Sequence, residues 1–500
     1  LSATIDPGTN GLVIPNFYNF SNNLGPISAT NSLTRQRSFA LYADFMFNFQ
    51  RELFLEVTGR NDWSSTLPDG RNSYFYPGAN ASWVFTERLQ SGTFKEKVLN
   101  YGKVRLGAGG VGNSPTPYAN NSAGFTQSAI SSGFGSVIPP VNGVPAYQVQ
   151  NVFGNNNLKP EQTHEMEVGT DLSFFKDRIA ASFTYYNILT RNLITMVPTA
   201  PSSGFTSNYV NVGDITNRGI EVSLRGTPIS TRYGLKWDLF GTYTRNKNNV
   251  VSLNGNVDHV VLGGFDGMNV VAAVGRPFGT FYAADIQYVI HNGKFAVLVD
   301  QATGLPIATK KPIYAGSYQP KFQASWGTDL SYKGLKLHAL FTTKQGNQFY
   351  SRNKMVMDFT GTSEATTVNN REKYVWANSV YQVANTNILQ TNTTKFSPYT
   401  YYTTTEQQSL PGQGIVNGSY VRLQELALSY KIPQKYYSRS PFGGLEAGLF
   451  GTNLLLWTAE SNKYDDPEAT SSGATGNAQG FNYTARPSVR NYGFFVKVNF

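Results

Sequence analysis

The feature that most constrains this chain is a two-residue alternation held over long segments. Ser38–Phe49 reads SFALYADFMFNF. Phe39, Leu41, Ala43, Phe45, Phe47 and Phe49 fall on one face, and Ser38, Ala40, Tyr42, Asp44, Met46 and Asn48 on the other. Successive side chains of a strand point to opposite faces, so the segment has one apolar and one mixed, more polar face. About eleven residues is the length of a tilted strand crossing a bilayer. The turn QRE follows, and then Leu53, Leu55 and Val57 alternate with Glu52, Glu56, Thr58 and Arg60, which predicts an antiparallel hairpin. The pattern recurs in SYFYPGANASWVF, NYGKVRLGAGG, THEMEVGTDLSFF, IAASFTYYN, RGIEVSLRG, LKWDLFGTYTRN, PKFQASWGTDLSY, LKLHALFTTKQGN, SYVRLQELALSYKIP and LEAGLFGTNLLLW, for about fourteen strands in all.

The connections alternate in length. Short turns fall near 50, 176, 230, 333 and 438, and long polar loops at roughly 112–160, 190–215, 248–280, 349–417 and 457–489. Short turns at one rim and long loops at the other form the pattern of an outer-membrane barrel. A soluble β-sandwich has shorter strands and does not sort its loops by length. The expected fold is therefore all-β, a transmembrane antiparallel β-barrel.

Composition agrees. Aromatic residues make up 14% of the chain and charged residues only 14%, where soluble proteins carry about 25% charge. Mean hydropathy is −0.31, and no run of about eighteen apolar residues offers a helical span. There is no cysteine, which excludes disulfides and thiolate metal sites and suits an oxidising compartment. The net charge of +10 is spread along the chain. Without a basic run it argues against nucleic acid; the counter-charge is either anionic lipid headgroups or solvent around scattered lysines and arginines. The last segment, YGFFVKVNF, alternates to its final residue, Phe500. It can close a barrel against the first strand and leave no free edge, and a terminal aromatic resembles the sorting signal of bacterial outer-membrane barrels. Because the sequence starts at Leu1, upstream residues are expected to be missing.

Motifs for chemistry are weak. GAGGVG, Gly107–Gly112, matches a dinucleotide fingerprint, but NSPTPYANN follows where a helix is required; the glycines are expected to bend the strand into a loop. The four histidines, His164, His259, His291 and His338, have no metal-ligand spacing, and neither a nucleophile elbow nor a P-loop is present. No enzyme is expected and no cofactor is implied, except that Asp465, Asp466 and Glu468 in KYDDPE could hold a structural Ca²⁺, the alternative being a solvated acidic turn. Trp376, Tyr381, Tyr399, Tyr401 and Tyr402 lie among Asn, Gln and Thr in the loops. They could stack on sugars or peptides; interfacial girdling or loop packing explains them equally well.

Several stretches together resemble the SusC/RagA-type TonB-dependent transporters. GRNDWSSTLPDGRNSYFYPGANASWVFTE is similar to the family's R-x-D-x-S-S…S-x-x-W segment, and NNNLKPEQTHEMEVGTDLSFFKDRIAASFTYYNILTRNLI to its L-K-P-E…E-x-G-x-D…YY strand pair. NVGDITNRGIEVSL, SYVRLQELALSYKIP and TNLLLWTAESNKYDDPE follow in the family's order, from about residue 38 to 500. The resemblance implies a plugged outer-membrane barrel of about 22 strands from Bacteroidetes-type bacteria. It implies coupling to TonB–ExbB–ExbD, a SusD-like surface lipoprotein as a lid, glycan or peptide cargo, contact with outer-membrane lipid and lipopolysaccharide, and transporter–lid pairs that dimerise. On this reading residues 1–37 continue from a missing N-terminal part, and 38–500 are the C-terminal barrel portion with long extracellular loops at about 112–160, 248–280, 349–417 and 457–489. The plug, the TonB-contacting segment and about eight early strands are absent. Cargo contacts are expected from the loop aromatics and from Asp44, Glu56 and Arg60 facing the lumen. A barrel serving as an anchor for surface lipoproteins or a secretion complex is the alternative, and a passive porin a third.

Overall fold

The computed structural model of the chain describes residues 2–4, 12–22, 28–30, 33–89, 92–121, 125–127, 130–132, 135–137, 147–254, 257–265, 267–471, 479–486 and 488–499. Its frame is one antiparallel sheet of thirteen strands. They are β1 Ser38–Phe49, β2 Leu53–Ser64, β3 Ser73–Trp83, β4 Leu99–Asn113, β5 Glu161–Phe174, β6 Ile179–Arg191 and β7 Gly213–Ser230, followed by β8 Leu235–Leu253, β9 Phe322–Tyr332, β10 Leu335–Gln345, β11 Tyr420–Ile432, β12 Gly444–Thr458 and β13 Asn491–Asn499. Each pairs with its neighbour in sequence, so the sheet is an uninterrupted meander with β1 and β13 at its edges. Every segment read as a strand is one, and the sheet holds thirteen strands among the described residues against the fourteen expected. Phe500 lies outside the described residues, as does much of the 112–160 loop and of residues 1–37.

The register shows why the alternation matters. One row runs Ser82, Arg105, Gly169, Thr184, Glu221, Thr244, Gln323 and Lys344 across β3 to β10. The adjacent row runs Trp83, Val104, Thr170, Phe183, Val222, Tyr243 and Ala324. One face of the sheet is therefore polar and the other apolar. On the apolar face Phe45 is 73% exposed, Phe494 79% and Leu449 65%. A face this rich in exposed large side chains suits lipid rather than water. No helix is long and apolar enough to cross a membrane among the described residues; the strands do the crossing.

The short turns follow local chemistry. Lys333 and Gly334 join β9 to β10 with φ of 46° and 92°, the two left-handed residues of a hairpin turn whose twist matches its strands. The turns at 50–52, 175–178, 231–234, 333–334 and 433–443, with the longer 84–98 connection, share one rim. At the other rim lie the described residues of 65–72, 114–160, 192–212, 254–321, 346–419 and 459–490. The expected 248–280 loop begins only after Leu253, because β8 runs on past the sheet's body, and the non-barrel chain then continues to residue 321.

GAGGVG lies inside β4 and does not bend it into a loop. A Cβ on Gly112 would sit 2.2 Å from the Tyr74 ring, and one on Gly107 2.9 Å from the Glu167 side chain. The glycines make room for neighbouring side chains.

Most of the buried apolar core lies in the long loops; a smaller cluster of Ile215, Val250 and Ala272 joins the ends of β7 and β8 to them. Met268, Val270, Phe281, Ala283, Tyr350, Met355 and Phe481 form one buried cluster contributed by three loops. Ile286, Val297, Val299, Phe396, Tyr401 and Leu410 form a second. The long loops are thus a folded unit, with a helix α1 (Arg352–Thr360) capped by the Ser351 side chain.

Candidate functional site

The lumen-facing wall is the first element of the site. The register puts Asp44, Glu56 and Arg60 on the polar face, opposite Thr58, Met46 and Tyr42 respectively. Arg60 donates to Asp62 at 2.9 Å, and the Tyr76 hydroxyl donates to the other Asp62 oxygen. Glu56 accepts from Asn80 Nδ2 at 3.1 Å. Arg105, in the next turn of the pattern, sits 3.6 Å from Asp171 and donates to the Thr184 hydroxyl. Farther round, a recess of about 470 Å³ is lined by Thr242, Thr244, Gln323, Ser325, Thr342 and Lys344, with Glu468 above it. Hydroxyls, amides and paired charges make this wall a polar path.

The loop aromatics divide by burial. Tyr401 is 3% exposed and packs against Trp376, their centroids 5.1 Å apart, while Trp376 stacks on Phe396 at 5.5 Å. Tyr402 donates its hydroxyl to the Ala365 carbonyl at 2.9 Å. Tyr381 donates to Gln390 Oε1 at 2.5 Å and packs against the same cluster. These four make the inner framework of the 346–419 loop. Tyr399 is 76% exposed and lines a cleft of about 190 Å³ with Phe359, Arg371 and Tyr402. Burial pushes the Tyr401 and Tyr402 phenols far above their ordinary range, so both are neutral donors at any working pH.

Beneath this cluster lies a charged group with no signal in the sequence pattern. Lys354 Nζ donates to Asp358 at 2.7 Å and to Glu406 at 3.4 Å. Asp358 also accepts from the Ser363 hydroxyl. One ammonium thus faces two buried carboxylates. Asp358 has the closer contact, and burial, only partly offset by Lys354, pushes Glu406 up to about 7. Glu406 Oε2 is buried and has no hydrogen-bond partner among the described residues.

The acidic loop residues are each engaged by side chains of other elements. Asp465 accepts from the Ser351 hydroxyl and from Asn353 Nδ2, the latter at 2.6 Å. Asp466 pairs with Arg422 at 2.5 Å, both side chains being nearly buried. Glu468 pairs with Lys344 at 2.7 Å and lies 3.5 Å from Arg422. Burial works against the Glu468 charge, but Lys344 holds its carboxyl below the ordinary value. Among the described residues no group of three or more His, Cys, Asp or Glu side chains could hold a metal ion. Asp465, Asp466 and Glu468 tie the described part of the 459–490 loop to α1 and to the barrel mouth at β10 and β11.

Sequence reasoning also missed a cavity of about 650 Å³ between the loops after β4, β6 and β8. Asn155, Asn157, Asn192, Asn211, Asn254 and Lys159 line its polar side, facing an aliphatic wall that includes Val210, Val212 and Val260. Asn211 knits the loops by donating to the Lys159 and Asn192 carbonyls at 2.9 and 2.7 Å. The asparagine run 155–157 was its one trace in the sequence.

A lipid-facing meander with a polar inner face, short turns on one rim and a folded loop unit on the other defines the chain as an outer-membrane β-barrel protein. Residues 8–266 match the family described as TonB dependent receptor-like, beta-barrel. The chain belongs to that family, and to its SusC/RagA type, and its place is the bacterial outer membrane. It is 24% identical over 480 residues to TonB-dependent receptor P3 of Formosa agariphila, covering 91% of this chain and 44% of the relative. It is 32% identical over 105 residues to TonB-dependent receptor SusC of Bacteroides thetaiotaomicron, covering 21% of this chain and 10% of the relative. Among solved structures, the RagAB peptide transporter superposes with a TM-score of 0.70 at 19% identity, over 98% of this chain and 51% of that one, which shows a shared fold. The chain spans about half the length of the curated relatives that it matches over most of its own length.

Proposed function

We propose that this chain is the channel and loop portion of a TonB-driven importer that takes up polar oligomers, glycan fragments or peptides. In this reading a SusD-like surface lipoprotein closes over the long-loop rim, and energy from TonB–ExbB–ExbD releases cargo inward. The observation that carries it is the asparagine-lined cavity at the loop rim above a polar lumen wall. Its volume is that of a small-molecule or oligomer subsite. Asn157 and Asn192 are among its lining residues. Each amide offers a donor and an acceptor, which suits sugar hydroxyls and peptide groups alike, and the valine wall suits the apolar face of either. Tyr399, exposed beside Arg371, is a second contact for cargo or for the lid.

The test uses the full-length protein that contains this chain, in cells lacking its own copy. Labelled oligosaccharide and oligopeptide pools are offered to the wild type and to an Asn157→Leu/Asn192→Leu double variant. Loss of two good hydrogen bonds predicts a fall in uptake of about ten- to a hundredfold for one of the two pools. Equal uptake of both pools by wild type and variant sinks this cavity as the cargo site. Absence of TonB-dependent uptake in the wild type sinks the importer reading and favours the anchor.

A further inference from the structure

The apolar face of the barrel carries a dent that the transport reading does not use. The register aligns Ile179, Gly226 and Leu239 in one row and Leu224, Gly241 and Trp326 in the next, all on the outer face. These six residues line a cavity of about 790 Å³. Its floor is bare backbone. A Cβ on Gly226 would meet nothing closer than the Arg178 carbonyl at 3.8 Å, and one on Gly241 would lie 3.0 Å from the Ser325 carbonyl. The walls are Leu224, Leu239, Trp326 and Ile179, each between 40% and 53% exposed. Two glycines between four large side chains leave a trough in a surface that is otherwise filled.

The trough opens at the short-turn rim, beside the turn Phe175–Arg178, where Lys176 and Arg178 are both exposed. In outer-membrane barrels the short turns face the periplasm. The connections of that rim (50–52, 84–98, 175–178, 231–234, 333–334 and 433–443) carry ten Lys and Arg against four Asp and Glu. An apolar trough at acyl-chain depth that ends under a guanidinium at headgroup depth has one complementary occupant in a membrane. The geometry points to a bound glycerophospholipid of the periplasmic leaflet, its acyl chain laid over Gly226 and Gly241 and its phosphate paired with Arg178. Arg presents a planar fork to phosphate oxygens, and removing a hydrocarbon chain from mobile lipid costs little where the wall already has its negative shape.

The test is native mass spectrometry of the full-length protein, extracted in mild detergent, stripped of lipid and titrated with phosphatidylglycerol. The wild type should retain at least one lipid more than Gly226→Leu, whose side chain fills the trough, with the dissociation constant of that site raised about tenfold or more. Arg178→Gln, in an exposed turn that does not set the fold, should weaken the site about fivefold, the loss of one cation near an anionic headgroup. Equal lipid retention by wild type and Gly226→Leu overturns the site. Binding of uncharged diacylglycerol as tight as phosphatidylglycerol overturns the phosphate contact.

Discussion

Glu406 is a buried acid of the loop unit, and its titration gives a quantitative prediction. Its carboxyl is raised from the ordinary 4.5 to about 7, first by burial and then by Asp358, against the pull of Lys354. An acid raised on folding favours the folded loop below its unfolded pKa. That advantage is lost as pH climbs from about 4.5 to 7, and above 7 the deficit is constant. Between about pH 5.5 and about pH 8 the two titration curves differ by about 2 kcal/mol, so the opening equilibrium of the loop should rise about thirtyfold. The reporter is amide exchange of α1 and of 401–409, corrected for intrinsic rates, in the full-length protein. In Glu406→Gln, which mimics the protonated acid, the slope should vanish and protection at the higher pH should increase. Wild-type protection that does not change with pH, or a Glu406→Gln variant that keeps the wild-type slope, refutes the reasoning that one lysine serves two buried carboxylates and leaves Glu406 with the proton.

Other perturbations probe the remaining parts. Arg422→Met leaves Asp466 nearly buried without its cation, and breaking one partner of such a pair costs about 3–5 kcal/mol; limited proteolysis should then cut within 459–471 while the barrel stays intact. Phe45→Arg places a charge on the lipid face at the middle of β1 and should cost about 2–4 kcal/mol in urea titrations of vesicle-folded protein, whereas Asp44→Ala, one residue away on the polar face, should stay within about 0.5 kcal/mol. Gly219→Val is predicted to cost about 1–3 kcal/mol by overpacking, because even its Cβ would lie 2.5 Å from the Arg245 carbonyl and from the Tyr186 hydroxyl; thermal unfolding measured by gel mobility reads it.

The barrel was legible because its information is local. Phe39 to Phe49 announce the outer face residue by residue, and a membrane strand needs only its own alternation and a short turn to be placed. The lumen residues Asp44, Glu56 and Arg60 followed from the same parity. The loop unit obeys a different rule: Phe281 and Tyr350 each pack against Phe481 from separate loops, and nothing in the period of any one stretch reports that contact. Tyr401 and Trp376 fitted cargo stacking and loop packing equally well in the sequence, because aromatic residues in a polar loop carry no mark of burial; the packing of Phe396 against both shows their structural part. The partners of the acidic run KYDDPE were hidden for a related reason. Carboxylates adjacent in sequence suggest one cation, but here three elements each take one of them: α1 with its cap, β11 through Arg422, and β10 through Lys344.

That last arrangement bears on how specificity can change without disturbing the fold. The barrel wall is held by ladder hydrogen bonds and lipid, which tolerate substitution so long as parity is kept. The loop unit is held by two small apolar cores and by buried charges that are satisfied only when distant loops meet. A substitution at Arg422 or Lys354 thus loosens the cap while leaving the wall in place, and one at Asn157 or Asn192 alters the cavity while touching neither core. If Asn157 and Asn192 contact cargo as proposed, cargo preference can vary independently of membrane topology, because the loop unit and the barrel wall are stabilised by different physics.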